Sequence, residues 1–447
     1  VNTKAAAIVL TPAPPRDLWD RFLVATIFAG MLALAYAAFA TPLLQPIFSH
    51  AGRGEWAQLA TRPTVIWVAM GLLLLLMRTL LWLRYRPFAA AQIDEAPLLS
   101  VVIPAYNEGA MVESSIASAA AAHYPRGRLE IIAIDDGSTD DTWRYIQRAA
   151  ARYPGLVTAV RLPQNCGKRG ALAEGFRRAR GEVLVTVDSD SVIEPDTLLA
   201  IAGPFRDARV GAVAGKVAVH NRKEALIPRM LHVRFVLSFD FLRSAQSMFR
   251  TVFCCPGALA AYRASVVRSV LERWEAQTFI GMQCTYGEDR ALTNFILGEG
   301  YDSVYQRAAV VHTMVPETYS KLCRMFIRWD RSYIREEFHF AHVVGKRPPL
   351  WRALALYECC ISNLRFPVAY LSIVLWAMNA VRDPSSIGRM LLAIMVVSTL
   401  YVLYYLRSER SWDFAYGILY GYFSFFALTW IFPYAALTLR ARGWLTR

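Results

Sequence analysis

The sequence predicts an α/β domain with a parallel sheet, set between membrane-spanning segments at the two ends of the chain. Three observations predict it. The apolar run Val183-Leu184-Val185-Thr186-Val187 is closed by Asp188-Ser189-Asp190. Strand-like and helical runs alternate between about Pro97 and about Val315, the pattern of a parallel sheet with ligands at the carboxyl ends of its strands. And 55% of the 447 residues are hydrophobic, above the roughly 45–50% of soluble domains.

The membrane segments come first. Phe22 to Phe39 is apolar and long enough to span at about 20 residues. Thr64 to Leu83 is a second span, interrupted by Arg78. Arg84 and Arg86 follow it and mark the cytoplasmic side, so the loop from His50 to Arg62 lies outside and the domain starting near Tyr85 lies in the cytoplasm. Val1-Asn2-Thr3-Lys4 has no cleavable signal.

Within the domain, Leu98 to Ile103 reads as a buried strand ended by Pro104, Ala110 to Ala122 as a helix, and Leu129 to Ile134 as the next strand, ending in Asp135-Asp136-Gly137-Ser138. Asp140 or Asp141 caps the following helix. Val157 to Leu162 is strand-like, Lys168 to Arg178 helical, Val183 to Val187 a strand. Beyond Thr318, Leu322, Met325, Phe326, Trp329 and Tyr333 recur at helical spacing among Arg324, Arg328, Arg331 and Arg335. That pattern fits a helix in the membrane interface or a surface helix packed on the domain.

Trp351 to Ala380 is apolar but holds Glu358, Arg365 and Pro367, and reads as an interfacial helix followed by a shorter span. Charges there face a polar channel or each other. Met390 to Leu406 is a span, and Phe414 to Leu439 another, broken by Pro433. Arg407 and Arg410, and again Arg440, Arg442 and Arg447, look cytoplasmic, so either the Pro433 region is re-entrant or one cluster lies outside. The regions expected are 1–84 with two spans, 85–315 as the cytoplasmic domain, 316–350 as interface helices and 351–447 as a transmembrane and channel region.

The net charge of +14 fits flanking of membrane helices and attraction to anionic lipid or a phosphate-bearing substrate. Lys and Arg are spread along the chain without a compact basic block, against nucleic-acid binding. Cys166, Cys254, Cys255, Cys284, Cys323, Cys359 and Cys360 lack metal-ligand spacing and read as reduced thiols. His123, His220, His232 and His312 show no ligand spacing either, and Gly167 and Gly170 make no dinucleotide fingerprint. Tyr416, Tyr420, Tyr422, Phe423 and Phe425 read as helix packing or interface anchoring, with a carbohydrate track as the alternative.

The acidic strand ends point to sugar-nucleotide chemistry. Such a transfer needs a recognised nucleotide, a neutralised leaving diphosphate, a base for the acceptor hydroxyl and an acceptor held in line. Asp136 can accept from the nucleobase. Asp188 and Asp190 can hold Mg²⁺ or Mn²⁺ on the diphosphate. Lys168 and Arg328 supply positive charge, Asp289 is a candidate base, and Trp329 offers a flat face to a sugar.

Val101-Val102-Ile103-Pro104-Ala105-Tyr106-Asn107-Glu108, Asp135-Asp136-Gly137-Ser138, Asp188-Ser189-Asp190, Gly287-Glu288-Asp289 and Arg328-Trp329 together resemble the signature of membrane-embedded family 2 glycosyltransferases, in particular the hyaluronan synthases and the rhizobial chitin-oligosaccharide synthases. Finer matches are Asn165-Cys166-Gly167-Lys168-Arg169, Cys254-Cys255-Pro256-Gly257, Gln277-Thr278-Phe279-Ile280-Gly281 and Gly443-Trp444-Leu445-Thr446-Arg447. The resemblance implies a GT-A domain (a Rossmann-like mixed sheet) on the cytoplasmic face and an inverting, metal-dependent transfer. It implies Asp289 as base and Asp190, with Asp188, as metal ligand. It implies Ala105, Tyr106, Glu108, Asp136, Lys168, Asp188 and Arg328 around the nucleotide, with Asp136 near uracil. Trp329, Cys255, Pro256, Gly257 and Glu288 would lie by the acceptor. Met325 stands where the family's Q-x-x-R-W has Gln, and Met cannot hydrogen-bond as the amide does. Pro256 replaces the Ser usual in hyaluronan synthases.

The expected activity is polymerisation of a polysaccharide from UDP-sugars, UDP-N-acetylglucosamine with or without UDP-glucuronate, and its export. The alternative is a chitin-oligosaccharide type or a short-product transferase on a lipid-linked acceptor, which Met325 favours. A non-catalytic scaffold is a third reading, against which the intact Asp190 and Asp289 argue.

Overall fold

The computed structural model describes residues 10–11, 17–40 and 63–441. The loop from His50 to Arg62 and the motif Gly443 to Arg447 lie outside the described residues. The chain forms two compact units, one gathering Tyr85–Arg352 with the stretch from Trp430 on, the other Pro14–Arg84 with Ala353–Thr429.

The first unit is built on an eight-stranded sheet. Its strands are β1 (Leu99–Ala105), β2 (Leu129–Asp135), β3 (Val157–Arg161), β4 (Val183–Val187), β5 (Ser191–Ile193), β6 (Val210–Val219), β7 (Leu259–Arg263) and β10 (Asp302–Thr313), in the order β3-β2-β1-β4-β7-β6-β10-β5. A separate hairpin pairs β8 (Thr278–Phe279) with β9 (Met282–Gln283). β1, β2 and β4 are buried along their whole lengths, as parallel strands covered on both faces must be. The β3-β2-β1-β4 half is parallel, as the alternation predicted. Beyond β4 the sheet becomes mixed, because β7 runs antiparallel to both β4 and β6.

Pro104 does not end β1. It pairs in register with Ile134, while pairing to β4 stops at Val102. The proline therefore sits where its missing N–H breaks no ladder bond. The chain order reverses between β1 and β4, so a crevice opens at their carboxyl ends. Asp135-Asp136 and Asp188-Ser189-Asp190 sit there. Asp140, not Asp141, accepts from the Thr142 N–H at the next helix start, at 3.0 Å.

Helix Gly167–Arg178 covers β1 and β2, and its Phe176 is fully buried against Tyr262 and Trp274. Helix Tyr319–Val343 packs on helix Glu288–Gly298 and on Ile431–Leu437. Arg331 and Arg335, placed on its polar face by periodicity, are instead buried in the domain. Arg331 donates to the Thr438 hydroxyl at 2.8 Å, and Arg335 donates to Glu336 at 2.9 Å.

In the second unit, the stretch expected to be two elements is one helix, Pro349–Arg382, which runs through Pro367 for 34 residues. Glu358 pairs with Arg78 at 2.6 Å and not with Arg365, so these two charges in apolar segments answer each other. Arg407 donates to Asp20 at 2.6 Å, and Arg410 to Asp17 at 2.6 Å. Those pairs set the start of helix Leu18–Ala40 beside the end of helix Ser385–Glu409. Three described helices are long and apolar enough to cross a membrane: Leu18–Ala37, Pro349–Arg382 and Ser385–Glu409. Phe414–Leu428 and Ile431–Leu437 make a fourth if they count as one span. The break falls at Thr429–Trp430, four residues before Pro433. Pro433 has no N–H for the Thr429 carbonyl, and the Tyr370 hydroxyl donates to it at 2.8 Å.

Replacing Phe176 with Ala opens a cavity between Tyr262 and Trp274 and is expected to destabilise the domain by about 3–5 kcal/mol. Thermal unfolding in detergent checks this, and an unchanged midpoint would contradict the packing described.

Candidate active site

The site is assembled where several segments meet at the carboxyl ends of β1, β2 and β4. The loop after β1 and the loop after β2 are knitted together. Asp136 N–H donates to the Ala105 carbonyl at 2.8 Å, Asn107 N–H to the Ser138 hydroxyl at 3.0 Å, and Glu108 N–H to the Thr142 hydroxyl at 2.8 Å. Ala105 is thus a buried anchor, whereas the neighbouring Tyr106 ring is exposed. Asp136 is buried, and its Oδ1 accepts from the Cys166 N–H at 2.8 Å. Burial and the nearby Asp135 outweigh the Cys166 and Gly167 amides and push its carboxyl up to about 6.

Lys168, at the start of helix Gly167–Arg178, is the centre of charge. Its Nζ lies 2.5 Å from Asp188 Oδ1 and 3.1 Å from Glu288 Oε1. Burial alone would lower the ammonium's pKa, but the two carboxylates outweigh it and raise it. By the same balance burial would raise Glu288, while Lys168 and then Arg328 hold it below the usual carboxylate range. Gly257 lies over this cluster. A Cβ there would come within 2.7 Å of Lys168 Nζ and 3.6 Å of Asp188 Oδ1, so a side chain at this point of the loop after Cys255-Pro256 would have to push the ammonium aside.

Asp289 sits in the first turn of helix Glu288–Gly298. Its Oδ2 accepts from the Gly257 N–H at 3.2 Å and its Oδ1 from the Arg290 N–H at 2.7 Å. Burial first, then Glu288, raises its pKa, which suits a general base. Cys255 is held through its N–H to the Thr293 hydroxyl at 3.0 Å, and Pro256 turns the chain by accepting from the Leu259 N–H at 3.0 Å. Asp190 Oδ1 accepts from the Ser191 and Thr313 hydroxyls at 3.1 and 3.2 Å. Burial and Asp188 raise its pKa. The bonds that orient Asp188 and Asp190 use Oδ1, leaving Oδ2 of each for another ligand. Among the described residues no group of three His, Cys, Asp or Glu side chains forms a metal cluster.

Lys168, Asp188, Gly257, Glu288 and Asp289 are therefore brought together, with Arg328 close enough to act on Glu288. Trp329 is half-buried and packs on Phe235 and Phe326, ring centroids 6.2 and 5.6 Å away. Met325 is buried. Sequence reasoning missed Trp274, whose Nε1 donates to the Glu288 carbonyl at 2.9 Å, and Thr313. It also missed Glu336, a buried carboxylate. Burial would raise it, but His339 and Arg335 bring it down to about 2. Nothing in local pattern marks them; only Gln277, which donates to Glu336 at 3.0 Å, lay inside a quoted motif.

Gly257→Ala is expected to fold normally and to displace the Lys168 ammonium. Turnover then falls at least about tenfold, roughly 1.4 kcal/mol of barrier, measured as nucleotide release. Wild-type turnover would show that the close approach is incidental.

Residues 100–271 match glycosyl transferase family 2. An N-acetylglucosaminyltransferase of Azorhizobium caulinodans is 30% identical over 80% of this chain and 90% of its own length. A hyaluronan synthase of Streptococcus pyogenes is 30% identical over 81% of this chain and 86% of its own. A mannosyltransferase of Pyrobaculum calidifontis, solved with GDP-Man and Mn²⁺, superposes with a TM-score of 0.55 at 23% identity, covering 90% of this chain and 99% of that one; it shares the GT-A fold. The chain, a glycosyltransferase whose helices include candidate membrane spans, belongs to glycosyl transferase family 2.

Proposed function

We propose that this enzyme extends a β-linked glycan from UDP-sugars by inverting transfer, with UDP-N-acetylglucosamine as preferred donor, and passes the product across the membrane. The observation that carries the reading is the Asp289 carboxylate. It is held by two backbone amides, and the residue beside it, Glu288, shares Lys168 with Asp188. The acceptor hydroxyl gives its proton to Asp289 as its oxygen bonds to the anomeric carbon. The bond from that carbon to the diphosphate oxygen breaks, and UDP leaves. Lys168 and Arg328 meet the charge that develops on the leaving group.

The donor set fits a hard divalent ion: two carboxylates with Oδ2 open, and room in the ligand set for diphosphate oxygens. Asp190 and Asp188 would hold Mg²⁺ or Mn²⁺, which when bound neutralises diphosphate charge. Asp136, with Ala105, Tyr106 and Glu108 near it, would receive the uracil. Trp329, Cys255, Pro256, Gly257 and Glu288 would line the acceptor subsite. The domain would face the cytoplasm of a bacterial inner membrane, between spans at 1–84 and 351–447. The Thr438–Arg331 bond ties the segment after Pro433 to the domain and favours the re-entrant alternative for that region.

A second reading, a chitin-oligosaccharide or lipid-linked short-product transferase, draws support from Met325. The buried thioether offers no hydrogen bond where a Gln amide would.

Detergent-purified protein with Mn²⁺, given UDP-N-acetylglucosamine, UDP-glucuronate and UDP-glucose singly and in pairs, separates these readings. A short ladder from N-acetylglucosamine alone supports the oligosaccharide reading. A high-mass product only from a pair supports a heteropolymer. Asp289→Asn is expected to lower transfer at least about a thousandfold, at the scale of a lost general base, with UDP binding intact; substantial residual turnover would remove Asp289 from the mechanism.

A pH limb follows from Asp136. The ionised carboxylate accepts from the nucleobase, and with its pKa raised to about 6 it protonates as pH falls through that value. Donor KM is therefore expected to rise below about pH 6 in the wild type and to stay flat in Asp136→Asn, whose amide oxygen accepts at every pH. A limb that persists in the variant would assign it to another group.

A further inference from the structure

Four hydrogen-bonding groups converge on one carboxylate away from the reacting centre. Glu336 is fully buried. Its Oε1 accepts from Arg335 Nε at 2.9 Å and from Gln277 Nε2 at 3.0 Å. Its Oε2 lies 3.2 Å from Asn294 Nδ2 and 3.2 Å from His339 Nδ1. Asn294 Nδ2 also donates to the Glu336 carbonyl at 3.0 Å. A buried carboxylate is tolerated only with such a complete set of partners.

The partners belong to the elements that carry the chemistry. Asn294 lies on helix Glu288–Gly298, five residues from Asp289. Gln277 Oε1 accepts from Arg169 at 2.9 Å, and Arg169 follows Lys168. Arg169 also donates to the Trp274 carbonyl at 2.6 Å, and the Trp274 ring nitrogen returns to the Glu288 carbonyl. Glu336 itself is seven residues from Trp329, two turns along the same helix face and about 10 Å away. Between them Ser332 lies so close to Gly287 that no Cβ fits there.

We propose that Glu336 is a positioning residue for transfer: its buried carboxylate pins helix Tyr319–Val343 to helix Glu288–Gly298 and so sets the distance between Trp329 and Asp289. This rests on the acceptor role given to Trp329 above. A one-residue slip of the helix moves Trp329 by about 1.5 Å, and a 1 Å misplacement of a reacting pair costs about a hundredfold in rate. Donor binding rests mainly on Asp136, Lys168 and the strand-end carboxylates, and hydrolysis uses a water that Trp329 does not hold; Arg328 moves with Trp329, so hydrolysis falls as well but less than transfer. A general structural role would weaken all three together.

Three variants of the full-length protein test this, Glu336→Leu serving as the reference for loss of every acceptor. Gln277→Ala removes one donor and leaves Glu336 with three; Glu336→Gln keeps an acceptor oxygen and removes the charge. With UDP-N-acetylglucosamine, sugar incorporated and UDP released are counted in parallel. UDP affinity should stay within twofold of wild type. Transfer should fall at least tenfold in Gln277→Ala while hydrolysis persists, so sugar incorporated per UDP released drops severalfold, and less in Glu336→Gln than in Glu336→Leu. Amide hydrogen exchange, read without substrate, should rise in residues 319–343 and stay unchanged in 99–187. Equal losses of transfer and hydrolysis, or wild-type exchange in residues 319–343, would overturn the proposal. A wild-type protein that transfers no sugar would instead count against the acceptor reading, and exchange would still report whether Glu336 pins the helix.

Discussion

One ammonium group holds the site together. Lys168 balances Asp188, at the end of β4, and Glu288, at the start of the helix that carries Asp289. Burial disfavours the charged forms of both Lys168 and Glu288, and each keeps the other charged. The three charges persist because they are neighbours. The loop after Cys255-Pro256 crosses above them without a side chain at Gly257, where a Cβ would crowd the ammonium. The amide of that glycine then orients Asp289. Placement of the base is thus a downstream effect of an ion triad to which the base itself does not belong.

The parts of this arrangement that were legible in the sequence share a simple origin. β1, β2 and β4 are apolar runs, and a run of that kind followed by Asp-Asp-Gly or Asp-Ser-Asp reads as a strand ending in a crevice. What was not legible depends on long-range pairing. Nothing local in Leu259–Arg263 says that it enters the sheet antiparallel beside β4. Arg331 and Arg335 read as polar positions of an amphipathic helix, and Glu336 drew no notice, because periodicity treats charge as a marker of exposure. That rule fails where charges find partners in the interior, and Glu336 has four. Trp351 to Ala380 read as two elements for the related reason that local rules do not see neighbouring helices.

In the apolar unit polar groups recur in the same matched fashion. Arg78 is answered by Glu358 and also by Ser362 at 3.1 Å, Thr79 by Tyr404 at 2.6 Å, and the Thr429 carbonyl by Tyr370. Arg407 also lies over the Trp82 ring, 4.2 Å from its centroid. In hydrocarbon an unanswered polar group has no water to turn to, so each match fixes a particular pairing of helices where apolar contact alone would leave several alternatives.

The Arg78–Glu358 pair has a consequence for how the protein is made. The two residues are separated by 280 positions, and the whole catalytic domain is synthesised between them. During that interval the guanidinium sits in the apolar helix Pro63–Arg84 without its counterion. Asp20 waits still longer, 387 positions, for Arg407. The ribosome therefore releases an N-terminal helix pair that is provisional. It becomes permanent only when the last third of the polypeptide emerges, which couples the pairing of the first helices to synthesis of the later ones.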